Sequence, residues 1–443
     1  MSSEQPAAGH GKRVSWVELY FDLVFVFAVS QVTHVIVADP GGDAVLSAFG
    51  LFMMLWWTWI GFVVLYNRRG DDRRTTHRLV ILAGTVPCVV AATQAHHVFE
   101  GHAAGFILAL AGARLLLATA YAVAARHGHR KADWRSAGGY ALSVVILGLA
   151  GALHGTSVYV LCGLALVQET ALLLLGERRE QMRAWRQART QRAQEGTGRR
   201  SREGSGHGSH EGHGRGSQER PGRRDLLLAQ LNAPRDQAHA VDAAHLAERF
   251  GLFMIILLGE IVISVGSGAL ERPEQDLTYW LGLGGGLLLA AALWWVYFTS
   301  AADINERLLM ASGGNPALAH TLYAGGHIMP AFSLLVVAAG VGLSLRGDAP
   351  TGALWLVTGG LAGYLAGTRV LTAMRRNWYA APARVLTLGA TASLAGLGHF
   401  LVAPVVVAAA ACWTAGVAVF VTVTGRDVLR LAGEDPTAFL RGS

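Results

Sequence analysis

The sequence predicts an all-α polytopic membrane protein of about twelve transmembrane helices, arranged as two parallel six-helix repeats. Three observations carry that prediction. Of 443 residues, 52% are hydrophobic and only 15% charged, where a soluble domain carries about a quarter. Apolar runs of about twenty residues recur from one end to the other, each long enough to cross roughly 30 Å of hydrocarbon as a helix. The second half also repeats landmarks of the first in the same order.

In chain order, the apolar windows fall at 15–37, 44–66, 78–98, 103–125, 136–154, 156–175, 245–268, 277–300, 318–344, 351–373, 383–400 and 402–424. Lys12 and Arg13 before the first window resemble the start of a signal peptide, but the run is too long and too acidic for one, so an uncleaved first helix is expected. With the N-terminus inside, one set of alternate loops holds Arg68, Arg69, Arg73, Arg74 and Arg78, then Arg126, Arg130, Lys131 and Arg135, then Arg375, Arg376 and Arg384. The opposite loops hold Asp39, Asp43, Glu100, Glu271, Asp276 and Asp348, with Arg272 and Arg346 as basic exceptions. The positive-inside rule then places both termini in the cytoplasm of a multi-pass protein of the bacterial inner membrane. It also explains the net charge of +7 without a nucleic-acid partner; the lipid bilayer is the expected partner, and the oligomeric state is not readable. Cys88, Cys162 and Cys412 lie within apolar windows without metal-ligand spacing, as small buried hydrophobes do.

The expected units are a first repeat at 1–175, a linker at 176–240, a second repeat at 241–426 and a short cytoplasmic tail at 427–443. The linker passes from an arginine-rich helical start into Gly, Ser, Arg and His without aromatics, a composition that cannot bury a core. His207, His210 and His213 within it fit a biased flexible tract better than a metal site, and no metal or cofactor is expected.

The duplication shows residue by residue. Glu18 and Tyr20 meet Glu248 and Phe250; Trp56, Trp57, Asn67 and Arg69 meet Trp294, Trp295, Asn305 and Arg307; His77, Leu79 and Pro87 meet His320, Leu322 and Pro330. Arg114 meets Arg369, and "LAGALH" ending at His154 meets "LAGLGH" ending at His399. Six helices is an even number, so both copies enter the membrane the same way, as in transporters built of parallel repeats.

Ionisable side chains inside such windows cost a few kcal/mol each on insertion, so they face the bundle interior and mark function or fixed ion pairs. Glu18 and Asp22 share one face of the first helix at i, i+4. His245 and Glu248 hold the matching inner position of the seventh, and Glu260 lies deeper. Arg114 and Arg369, far from helix ends, are the expected partners of these acids. Glu169 adds an acid of unread depth. His77 and His320 each stand ten residues before a helix-kinking proline, and His327 follows within the ninth helix; carboxylate, histidine and arginine together are what a proton relay requires. Trp56, Trp57, Trp294 and Trp295 lie inside the windows, as packing residues or as an aromatic wall. No nucleotide-binding loop, hydrolase elbow or zinc-protease motif appears, and no catalytic residue is assigned.

The stretch "VELYFDLVFVFAVSQVTH", centred on "WVELYFDL", resembles the start of the bacterial low temperature requirement protein A family, and "RFGLFMIILLGEIVISV" at 249–265 resembles that family's second hallmark. The resemblance implies a polytopic bacterial inner-membrane protein associated with growth in the cold, and brings no substrate or reaction with it. From the residues, the leading expectation is a proton- or ion-coupled secondary transporter of a small molecule or ion. The alternatives are an intramembrane enzyme acting on a lipid or isoprenoid, and a sensory or membrane-organising protein.

Overall fold

The computed structural model describes residues 14–71, 73–128, 131–171, 241–350, 352–368 and 380–434. The expected linker with its histidines, Arg369, and the tail beyond 434 lie outside the described residues. The described chain is all helical. The helices are α1 (Trp16–Ala38), α2 (Gly42–Arg69), α3 (Thr75–Gln94), α4 (Ala104–Gly128), α5 (Lys131–Ala152) and α6 (Thr156–Ala171) in the first half. The second half has α7 (Ala243–Leu270), α8 (Leu277–Val296), α9 (Ala302–Ala311), α10 (Ile328–Leu345), α11 (Gly352–Gly367), α12 (Ala380–Ser393) and α13 (Ala403–Glu434).

Nine helical stretches among the described residues are long and apolar enough to cross a membrane, against the twelve expected. In the other three windows the described residues hold the shorter helices α6, α11 and α12. For the last of these the reason is local: Leu394–His399, with Gly396 and Gly398, tightens into a 3-10 turn, and glycine is a poor helix former. At the other end, α13 runs on to Glu434, into the stretch expected as tail.

The helix starts are set by short polar side chains. Asp242 caps α7 by accepting from the His245 amide at 3.1 Å, and Asp276 caps α8 by accepting from that of Tyr279 at 2.8 Å. Asp276 lies outside the apolar windows, and this amide bond is the main reason its carboxyl titrates below the usual aspartate range. Two stretches widen into π-helix, Tyr297–Ala301 and His320–Gly325. The second frees main-chain carbonyls that need other donors. Trp56 supplies one, its indole N–H donating to Ala324 O at 2.9 Å, and His327 Nδ1 lies 3.1 Å from Leu322 O.

The core is centred on two helices, α2 and the span ending in α10, whose most apolar windows are 78% and 89% buried; α3 and α5 reach only 33% and 28% and are peripheral. Outer helices turn Val86, Val145, Leu149, Val160, Val167, Ile263, Val419 and Val423 outward, an apolar exterior that hydrocarbon, not water, would solvate. Between the halves, α10 packs on α1 and α2, and α7 on both of the same helices.

Without a hydrophobic drive inside lipid, helices associate through close packing of small residues. The α10–α11 contact does this at Gly340: a Cβ there would stand 2.6 Å from Val357 N and 2.8 Å from Ala353 O. Across the same seam Gly360 and Gly363 lie against Val337 and Ser333. Gly340→Ala should therefore destabilise the protein by roughly 1–3 kcal/mol through overpacking. Gly284→Ala, where nothing lies within 4 Å, should be neutral or mildly stabilising because it removes a mid-helix glycine. Thermal melting of the two variants in detergent checks the contrast; equal melting points would refute the close-seam account.

Candidate functional site

The N-terminal ends of α1 and α7 lie side by side, since the Val14 amide donates to Glu248 Oε2 at 3.2 Å. Glu18 and Asp22, one turn apart on α1, face His245 and Arg249, one turn apart on α7, and all four are fully enclosed. Arg249 donates to Glu18 Oε1 at 2.7 Å through Nη1, to Asp22 Oδ1 at 3.1 Å through Nη2, and to Asp22 Oδ2 at 3.3 Å through Nε. The bidentate fork on Asp22 is the geometry for which guanidinium is suited and ammonium is not.

Every remaining acceptor is met. Trp59 of α2 donates to Asp22 Oδ1 at 2.7 Å; the Ser15 amide and hydroxyl each donate to Glu18 Oε2 at 3.1 Å; His245 Nε2 lies 3.1 Å from the same oxygen. The second ring nitrogen, His245 Nδ1, is 3.0 Å from Asn67 Nδ2. The orientation of Asn67 is fixed independently: its Oδ1 accepts from the Asp242 amide at 3.1 Å and its Nδ2 donates to the Asp242 carbonyl at 3.1 Å. Flipping the amide would set donor against donor and acceptor against acceptor. With Asn67 so placed, its Nδ2 donates to His245 Nδ1, and Nε2 is left to donate to Glu18 Oε2.

A family profile described as "Bacterial low temperature requirement A protein (LtrA)" matches residues 13–423, nearly the whole chain and both helices that carry this cluster. The chain belongs to the LtrA family. It is also 29% identical over 131 residues to an uncharacterised protein of Rhizobium meliloti (strain 1021), a match covering 29% of this chain and 32% of that relative's length. No solved structure matches it.

In this LtrA-family chain the other expected site residues are placed as follows. Arg114 meets neither Asp22 nor Glu260. It is taken by Glu169 of α6, in a bidentate pair at 2.9 and 3.1 Å, with Thr58 Oγ1 and the Met54 carbonyl (3.2 Å) completing its donors. Arg114 is buried, but a place in mid-helix does not say which neighbour it faces. Glu260 is buried and has no hydrogen-bond or ion-pair partner among the described residues, and it lies roughly 16 Å of helical rise beyond Arg249. Glu248 is exposed. His77 accepts the Asp71 amide at 3.1 Å at the start of α3, away from the cluster. His327 is buried, 2.8 Å from the Tyr297 hydroxyl and stacked on Tyr323. His320 lines a cavity beside the start of α7. Trp56 packs at the edge of Phe250 and Phe253 behind the cluster, and Trp57 is buried. Trp294 and Trp295 are 42% and 45% exposed on the outer surface.

Four cluster residues were not singled out from the sequence as partners of these acids: Arg249, Asn67, Trp59 and Asp242. A signal for the first was present. An acidic i, i+4 pair in one helix and a basic i, i+4 pair, His245 and Arg249, in another are complementary faces.

Removing one member of a buried ion cluster leaves the others uncompensated. Arg249→Met should therefore lower stability by about 3–5 kcal/mol, and adding Glu18→Gln and Asp22→Asn should recover most of the loss. The melting points of single and triple variants in detergent measure this; a single variant that melts like the parent would remove the cluster from its central place.

Proposed function

We propose that this protein is a secondary transporter of the bacterial inner membrane, coupled to protons or another ion, and that the Glu18, Asp22, His245 and Arg249 cluster is its coupling element. The observation that carries the reading is the set of two acids, a guanidinium and a histidine fully enclosed between the halves. Ionisable groups so buried are costly to keep, and a histidine among them is a group that can bind and release a proton. His245 is the natural receiver. The charged and titratable groups around it are Glu18 and Asp22 of α1, Arg249 and Glu248 on its own helix, and Asp242 at its cap; Asn67 is the neutral contact from α2. Protonating Nδ1 turns that nitrogen into a donor facing the Asn67 amide, so the Asn67–Asp242 clasp must open. Proton binding thereby loosens α2 from the start of α7.

With it we propose a two-repeat, twelve-span architecture with both termini cytoplasmic. In the first half α1 packs on α2 and α3, α3 on α4 and α4 on α5; in the second α7 packs on α8 and α10, α10 on α11 and α11 on α12. The order of neighbours is the same, and the adjacent N-termini of α1 and α7 agree with parallel copies. An enzyme acting on lipid would need open carboxylates, and Glu18 and Asp22 are closed off. Glu260, with no partner among the described residues, is the second acid of interest.

The test uses proteoliposomes holding the small-molecule fraction of a bacterial lysate and a trapped pH dye. A pH jump should drive proton flux well above that of empty vesicles. Asp22→Asn and His245→Gln should each reduce it by at least about tenfold, one step of 1.4 kcal/mol in the barrier, while Glu260→Gln reports on the second acid. Flux at the empty-vesicle rate in the parent, or parental flux in both cluster variants, would reject proton coupling here.

A further inference from the structure

Beside the cluster lies a small cleft, partly open at its mouth, formed by the end of α2, the start of α7 and the π-helical stretch His320–Gly325. Its walls are largely apolar, with Ile60, Leu246 and Phe250 among them, but three polar side chains line it: Arg68, His320 and Tyr323. Their satisfaction is unusual. Tyr323 is 2% exposed and its hydroxyl has no partner among the described residues; Arg68 Nε is likewise enclosed and unpartnered. A buried hydroxyl or guanidinium nitrogen left without a partner is costly, so it calls for an occupant that the protein atoms do not supply. Arg69 Nε is enclosed and unpartnered too, but Arg69 does not line the cleft and its Nη2 pairs with Asp133.

We propose that this cleft binds a small, singly charged inorganic anion of halide size, with Arg68 supplying the charge, Tyr323 a hydroxyl donor and His320 a further polar edge. The features of the cleft select that class. Its enclosed part admits one occupant about the size of a water molecule. Organic acids are too large for it, and multiply charged anions would lose too much hydration among apolar walls. Glu306 of α9 is the nearby acid whose charge acts on Tyr323, and it too disfavours multiply charged ions. The position gives the site a consequence. Arg68 follows Asn67 of the clasp, and Leu246 and Phe250 directly follow His245 and Arg249. Occupancy would hold α2 against α7 at the point where proton binding loosens them. The site itself does not rest on the transport reading.

The full-length protein in detergent is titrated with sodium chloride and sodium bromide against sodium gluconate at constant ionic strength, reading melting temperature and heat of binding. Both halides should give a saturable rise. Arg68→Gln should weaken half-saturation by at least about tenfold, the loss of a charge-assisted bond, and Tyr323→Phe by about threefold, the loss of a neutral one. Glu306→Gln should tighten it. Tyr323→Phe keeps the ring and removes only the unpartnered hydroxyl, so it remains decisive if Arg68→Gln does not fold. A parent with no saturable halide effect, or Arg68→Gln and Tyr323→Phe variants that titrate like the parent, would overturn the site. Halide binding without proton flux would reject only the transport reading, and flux without halide binding only this one.

Discussion

Three enclosed charges, the Arg249 guanidinium and the carboxylates of Glu18 and Asp22, set the constraint on which the interface between the two halves depends. Removing each ion from water costs several kcal/mol even after relaxation, and mutual attraction offsets that only when geometry is good and the spare lone pairs are met. That condition reaches well beyond the ion pair. It requires the Trp59 indole of α2 at one Asp22 oxygen and the Ser15 amide and hydroxyl at one Glu18 oxygen. The relative positions of α1, α2 and α7 are thus fixed by donors that must converge within hydrogen-bond distance, while the aromatic layer of Phe25, Trp56, Trp59, Phe250 and Phe253 excludes water around them.

The cluster gains meaning from what the two copies do not share. At the offset that sets Glu18 on Glu248, Asp22 falls on Leu252, Arg249 on Leu19 and His245 on Ser15. Under the proposed duplication, Glu18 alone of the four has a like counterpart, and Glu248 is an exposed residue touching the chain start. The acid peculiar to the first copy is bound by the base peculiar to the second. Arg114, by contrast, has Arg369 as its counterpart and closes its contacts within the first half.

Much of the all-helical fold was legible in the sequence, because apolar length is a strong signal: nine of the twelve expected windows hold helical stretches long and apolar enough to cross a membrane among the described residues. The interior features were less so, for definable reasons. The π-helical widening at His320–Gly325 depends on donors from distant helices, Trp56 above all, and no local pattern announces it. Trp294 and Trp295 show the same limit in reverse, since window position does not say whether a residue faces inward. The acids Glu18 and Asp22 stood out because carboxylates are rare in such runs. Arg249 did not, because it sits near a helix start where a basic residue has an ordinary explanation. Arg114 was matched to acids by its place in mid-helix alone, and Glu169 of α6 is the acid within reach of its guanidinium.

The local chemistry also explains why a neutral amide, Asn67, holds the interface. A charged group in its place would add one more enclosed charge to the cluster, and an apolar one would leave the Asp242 amide and carbonyl unmet at the start of α7. The asparagine satisfies both backbone groups with one side chain, and in doing so presents its N–H to His245. Its orientation is therefore dictated from one side and sets the tautomer on the other. A proton arriving on His245 confronts an amide that cannot turn without breaking two bonds to the Asp242 main chain, so the protonation state of one ring is tied to the separation of two helices. A salt bridge at this position would slacken gradually as charge is screened or neutralised. Under the proposed coupling the amide clasp is either closed on the ring or broken by a proton on Nδ1, and an all-or-none change of that kind is what a coupling element needs.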